Sequence, residues 1–158
     1  MIVTIYVDDL IIRGDDLKDV EHVKALLRKP FDIYDLGELR YFLGIEMIHN
    51  EGGIWLSQKK YGVDMLMKYG MADCKLIFTP LDQTLKLRID EGEVLDDATM
   101  YRRIVASLIY TTISRPDLSY AVALVSQFMQ LPRKPHLDAM TRIMRYVRAT
   151  LDYISSMT

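Results

Sequence analysis

Two carboxylates stand side by side at Asp8-Asp9, between the apolar runs Ile2-Val3-Thr4-Ile5-Tyr6-Val7 and Leu10-Ile11-Ile12. Adjacent acids repel each other unless a cation sits between them. Their oxygen ligands suit a hard divalent ion, Mg²⁺ or Mn²⁺. Asp-Asp is also an ordinary turn dipeptide, because Asp tolerates turn geometry and caps its own backbone. A second chemistry is electrostatic. Arg142, Arg145 and Arg148 recur every three residues near the end of the chain, with Arg133 and Lys134 just before them. Such a stripe can follow a phosphate backbone, or it can be a solvated helix face.

These residues need elements to place them. The runs flanking Asp8-Asp9 are short and rich in Ile, Val and Leu, so each reads as a strand and the acids sit at a hairpin turn. Gly14-Asp15-Asp16 then turns the chain and caps an amphipathic helix. Leu17, Val20, Val23 and Leu27 are its apolar positions, it ends near Lys29 before Pro30, and it is expected to pack on the back of the hairpin. Residues 31–37 read as a short strand with a turn. Residues 40–49 read as one strand, turned at Asn50-Glu51-Gly52-Gly53 into the return strand Ile54-Trp55-Leu56. Gly44 inside it suggests a bulge or a close backbone approach. Ser57 is the expected cap of a helix over 58–69 with the stripe Tyr61, Met65, Leu66 and Tyr69, closed by Gly70. Lys59, Lys60 and Lys68 lie off that stripe.

Periodicity vanishes over 72–98, through the Asp82-Gln83-Thr84 step and an acidic tract, which reads as a long surface connection between lobes. Three helical patterns follow. Thr99 caps the first, with Tyr101, Ile104, Val105, Leu108 and Ile109 on its stripe. Pro116 opens the second, which buries Leu118, Ala121, Val122, Val125 and Phe128. The third carries Leu137, Met140, Met144, Val147 and Leu151. Short links between them argue for a small antiparallel bundle. The fold class is therefore α+β: a β-hairpin with a packed helix and a second hairpin, then a helical bundle. The segments are 1–57, 58–98 and 99–158.

Composition narrows the function. The 158 residues are half hydrophobic, so a sizeable core can be buried, and the net charge of −2 excludes a polycation. Nucleic-acid contact would have to use local basic patches. No apolar run approaches the roughly 20 residues of a membrane span. The single Cys74 precludes an intramolecular disulfide and fits an intracellular, cytoplasmic or nuclear setting. His22, His49 and His136 are far apart and lack Cys companions, which argues against zinc.

The order of motifs resembles the reverse transcriptase of Ty1/copia-type LTR retrotransposons, in the C-terminal half of that domain. The resemblance is carried by Tyr6-Val7-Asp8-Asp9, Asp35-Leu36-Gly37-Glu38-Leu39 and Tyr41-Phe42-Leu43-Gly44-Ile45-Glu46. It continues through Ile54-Trp55-Leu56-Ser57-Gln58-Lys59-Lys60-Tyr61, Tyr69-Gly70-Met71, Thr79-Pro80, Ser107-Leu108-Ile109-Tyr110, Arg115-Pro116-Asp117, Pro132-Arg133-Lys134-Pro135-His136 and Leu151-Asp152-Tyr153. Residues 154–158 depart from the family, Leu137 stands where Trp is usual, and Arg148-Ala149 stands for Lys-Gly.

The resemblance implies an RNA-directed DNA polymerase working by two-metal phosphoryl transfer. Asp8 and Asp9 become catalytic, Mg²⁺- or Mn²⁺-binding carboxylates, and Tyr6 stacks near the primer. The early residues become the end of the palm. Phe42, Leu43, Gly44 and Ile45 become a primer grip. Gln58, Lys59 and Lys60 open a thumb that contacts template–primer, and the helical remainder becomes thumb and connection, where Arg142, Arg145 and Arg148 add phosphate contacts. The fingers and an earlier metal-binding Asp precede this region in the family. The metal site is therefore expected to be incomplete and the chain inactive as a polymerase by itself. The open hairpin edge predicts self-association or a partner supplying a strand. The alternative is a co-opted nucleic-acid-binding or protein-interaction module.

Overall fold

A computed structural model describes residues 1–82 and 84–151. Gln83 of the Asp82-Gln83-Thr84 step, the Asp152-Tyr153 match and the departure at 154–158 lie outside the described residues. The architecture is mixed α+β, with two small antiparallel sheets and five α-helices among the described residues. It divides into two compact units, Met1–Arg40 and Tyr41–Thr158.

The first unit begins with the expected hairpin. Strand β1 (Ile2–Tyr6) pairs with β2 (Asp9–Arg13) in a register running from Ile2 opposite Arg13 to Tyr6 opposite Asp9. Helix α1 spans Leu17–Arg28, and the Asp16 carboxylate caps it by accepting from the Lys18 N–H at 2.8 Å. The helix does not cover the hairpin as expected. All of β1 is exposed, and Val20 is the one buried residue of α1. With Lys, Asp, Glu and His on four of its first six positions, α1 has too narrow an apolar stripe to blanket a sheet.

Residues 31–37 form no strand. Asp35 accepts from the Gly37 N–H at 2.9 Å, where Gly37 has φ +77°, and pairs with Lys24 at 3.0 Å. The Gly37 N–H, then Lys24, hold the Asp35 carboxyl below its usual range. The Asp35-Leu36-Gly37 motif is thus a turn fastened to α1.

The second unit opens with a three-stranded sheet: β3 (Tyr41–Phe42), β4 (Ile45–Asn50) and β5 (Gly53–Ser57). The single strand expected over 40–49 is split. Leu43 and Gly44 both take positive φ, +50° and +76°, and reverse the chain in two residues. That is the turn geometry whose twist suits antiparallel neighbours. Gly44 marks a hairpin, not a bulge.

Helix α2 (Lys59–Lys68) starts one residue later than expected, although Ser57 Oγ does accept from the Lys59 N–H at 3.2 Å. Gly70 closes it: its N–H reaches Met67 O and the Met71 N–H reaches Leu66 O, the paired bonds of a left-handed helix stop. Helix α3 is Thr99–Thr111, with the Asp97 carboxylate, not Thr99, accepting at its start. A one-turn 3-10 segment at Pro116–Leu118 leads into α4 (Ser119–Ser126), and α5 runs Lys134–Thr150.

The core is shared by α2, α3, α4 and α5, so the bundle holds one more helix than the three expected. Tyr101, Val105, Leu108, Leu118, Val125, Ile143, Met144 and Val147 are wholly enclosed. Each such large apolar side chain contributes roughly 1.5–3 kcal/mol. Ile109 points out of the stripe and is 46 % exposed. The 72–98 connection does not separate lobes. It stays irregular, but it belongs to the same unit as the helices, bridging to them through Leu95 N–H to Pro132 O at 3.0 Å and Lys134 N–H to Glu93 O at 2.8 Å. Backbone pairing of this kind leaves no periodic side-chain signal.

Candidate functional site

The register of β1 and β2 leaves Val7 and Asp8 as a two-residue turn. Such turns need positive φ at the first position to match strand twist, which glycine supplies freely. Here Val7 takes it, at φ +49°. A β-branched residue in that region is strained by roughly 1–3 kcal/mol. Its side chain is 81 % exposed, so no packing offsets the strain. The pairing of Tyr6 with Asp9 closes the turn. Asp8 therefore stands at the tip and Asp9 at the first position of β2, both exposed, with Tyr6 opposite Asp9. Two hard carboxylates at one exposed tip fit a divalent cation. Among the described residues no cluster of three His, Cys, Asp or Glu side chains occurs.

In the second unit, Phe42 and Ile45 flank the Leu43-Gly44 turn as a cross-strand pair. The turn rests on two tyrosines that local sequence did not single out for it. The Tyr110 hydroxyl, from α3, donates to the Leu43 carbonyl. A Cβ at Gly44 would lie 3.4 Å from the Tyr61 ring and 3.5 Å from that of Tyr110, and those rings meet edge-on with centroids 5.0 Å apart. Tyr110 is 67 residues from Leu43 in the chain, so the only signal available was an aromatic one step off the α3 stripe.

Of the three positions expected to contact template–primer, Lys60 is exposed and lies 5.2 Å over the Tyr41 ring, and Lys59 is half-buried at the head of α2. Gln58 is 2 % exposed. Its amide donates to Tyr110 O at 3.3 Å and accepts from Ser114 Oγ at 2.7 Å, so it joins the β5–α2 corner to α3. The arginine stripe is also engaged internally. Arg142 donates to Thr79 Oγ1 at 2.8 Å, and Arg148 donates to Cys74 O at 2.7 Å. The Nε atoms of Arg142 and Arg145 are buried without a hydrogen-bond partner. The helix that carries the stripe turns it toward the 72–82 stretch, where two of the three guanidiniums hold backbone and side-chain oxygens.

Arg115-Pro116-Asp117 is a structural clamp. Arg115 is nearly buried and grips Asp117 with two bonds, at 2.9 and 2.7 Å, and reaches Thr150 Oγ1 at 2.8 Å. The Tyr146 hydroxyl donates to the same Asp117 carboxylate at 2.9 Å. The Arg115 guanidinium first, and the Tyr146 hydroxyl after it, hold the Asp117 carboxyl below its usual range against the opposing effect of burial.

With this geometry in view, comparison with known proteins decides the family. The family model described as reverse transcriptase (RNA-dependent DNA polymerase) matches residues 1–83. The chain belongs to the reverse transcriptase family of Ty1/copia-type retrotransposons. It is 40 % identical over 149 residues to the retrovirus-related Pol polyprotein from transposon RE2 of Arabidopsis thaliana, covering 94 % of the chain and 10 % of that protein. It is 42 % identical over 146 residues to the corresponding polyprotein from transposon RE1 of the same plant, covering 92 % of the chain and 10 % of the relative. An uncharacterized mitochondrial protein of Arabidopsis thaliana is 37 % identical over 151 residues, 96 % of the chain and 62 % of the relative. This reverse-transcriptase-family chain thus spans about a tenth of the length of the Pol polyproteins it matches. No solved structure matches it. Among the described residues, no helix is long and apolar enough to cross a membrane.

Proposed function

We propose that the chain is the palm-end and thumb portion of an RNA-directed DNA polymerase, with Tyr6-Val7-Asp8-Asp9 as its metal-binding box. The observation that carries this reading is the strained Val7-Asp8 turn, which sets two carboxylates at an exposed tip although its first residue resists the conformation. Strain kept without packing is the mark of a turn maintained for what it presents. Asp8 and Asp9 would hold Mg²⁺ or Mn²⁺, which when bound supplies Lewis acidity to the primer 3′-hydroxyl and the departing pyrophosphate. The chain's own residues bind and orient. Tyr6 offers a ring beside the carboxylates. The Phe42–Ile45 turn, seated on Tyr61 and Tyr110, gives a firm ridge for the primer end. Lys59 and Lys60 meet the duplex backbone, while Gln58, Arg142 and Arg148 hold the surface behind them.

Binding of the 158-residue chain to an RNA–DNA hybrid with a recessed 3′ end tests this reading. Fluorescence anisotropy should show affinity that falls steeply with salt. Replacing Lys59 and Lys60 by Ala should flatten the log–log salt slope by about one for each lysine engaged. The chain is expected to hold the hybrid without extending it. Salt-independent binding, or none at low salt, would refute the duplex-binding role.

A second reading is a module that pairs strands with another chain. It is favoured by the exposure of Ile2, Ile5 and Val7, at 61, 71 and 81 %. Association that persists after nuclease treatment separates it from the first.

A further inference from the structure

His136 has no exposed surface and sits where three parts of the second unit meet. Its Nδ1 accepts from the Arg133 N–H at 2.9 Å, capping α5. A nitrogen that accepts carries no proton, so the proton is on Nε2, 3.0 Å from the Arg88 carbonyl. The ring stacks on Phe128, just beyond α4, with centroids 3.8 Å apart and planes 14° from parallel. Around this point the connection is sewn to α5. Arg133 donates to Ile89 O at 2.8 Å and Gly92 O at 2.7 Å, and the Lys134 N–H donates to Glu93 O.

We infer that His136 is a pH-operated latch, which fastens the start of α5 to residues 88–93 while neutral and releases them when protonated. The only place for a second proton is Nδ1, where the Arg133 N–H already points. Protonation turns an accepted bond into two facing donors. The cap is lost, and with it the orientation of Arg133 toward Ile89 and Gly92. The charged group that acts on the ring, the Arg133 guanidinium, opposes a second positive charge. From the connection, Arg88 meets the ring through its carbonyl, and Asp90, Glu91 and Glu93 in the same stretch are exposed. Phe128 brings no charge.

Burial first, and then Arg133, place the imidazole below its ordinary 6.5, against the pull of the Arg88 carbonyl. The folded state therefore binds the proton less readily than the unfolded chain. The latch is fully engaged above the unfolded value of 6.5, and its stabilisation is lost as pH falls from there through the lower folded value.

Hydrogen-exchange protection factors of the full chain between pH 7.5 and 5 test the latch. Protection at the Arg133, Lys134 and Leu95 amides should fall severalfold while that at Leu108 and Val125 holds. In His136→Asn the amide oxygen can still accept from Arg133 but cannot be protonated, so the same ratio should stay flat. Loss of protection spread evenly over the bundle, or equal loss in His136→Asn, would overturn the latch. If His136→Asn fails to fold, the NMR titration of the wild-type ring decides: a midpoint below 6.5 with matching shifts at Arg133 supports it, and a midpoint at or above 6.5 overturns it.

Discussion

If the proposed metal box is right, Asp8→Asn combined with Asp9→Asn is expected to abolish Mn²⁺ binding at the hairpin and to leave thermal unfolding within about 2 °C of the parent chain. Each carboxylate offers hard anionic oxygens, and Asn offers a neutral carbonyl of the same shape. Because both acids are exposed, removing them disturbs no packed contact. Exposed substitutions of this kind stay within roughly 0.5 kcal/mol, which sets the small thermal shift. Asn also tolerates the turn, so the Tyr6–Asp9 register survives. Paramagnetic broadening of the 6–10 amide resonances by Mn²⁺ is the readout. Broadening that persists in the double variant would remove the hairpin from the metal site, whatever the fate of hybrid binding.

Gly92→Val is expected to destabilise the second unit by about 2–6 kcal/mol. Two costs combine: roughly 1–3 kcal/mol for a β-branched residue at positive φ, and a similar amount for overpacking. Gly92 has φ +86°, and a Cβ there would lie 2.5 Å from Pro135 Cδ and 2.8 Å from its Cγ. A pyrrolidine ring at the start of a helix cannot swing aside as a long side chain would. The obstruction pushes the connection off α5 at the point where Arg133 and His136 hold it. Gly37→Val is the control, since Gly37 shares the positive φ, +77°, but nothing lies within 4 Å of its Cβ position. It should cost only the backbone share. Urea unfolding measures each against the transition of the unit that carries it, and a Gly92→Val variant that loses no more stability than Gly37→Val would show that the connection is not seated on Pro135.

How much of this was legible beforehand varies by element. The Asp8-Asp9 hairpin could be read because short runs rich in Ile, Val and Leu on either side of a polar pair leave little choice of turn. Helices α2 to α5 could be read because apolar residues recur at helical spacing on each: Tyr61 and Met65, Ile104 and Leu108, Val122 and Val125, Met140 and Met144. The 40–49 run misled because alternation says nothing about where a strand reverses, and Leu43 is not a residue that advertises positive φ. The internal partners of the arginine stripe were not legible either. Charges at helical spacing read as a surface, and only the folded position of residues 72–82 shows that Arg142 and Arg148 have oxygens waiting for them.

By itself, the sequence determined the family, the α+β class, the Asp8-Asp9 pair at a hairpin turn and the apolar faces of the bundle. All of these rest on local spacing or on motif order, which the chain carries residue by residue. Tertiary structure alone decided that Val7 bears the strain of that turn, that Tyr110 supports Leu43 from 67 residues away, and that Gln58 is enclosed. It also decided that His136 faces Arg88 across 48 residues. The reason is physical: burial, hydrogen-bond partners and backbone strain belong to pairs of segments, and chain separation leaves no trace of them in either segment alone.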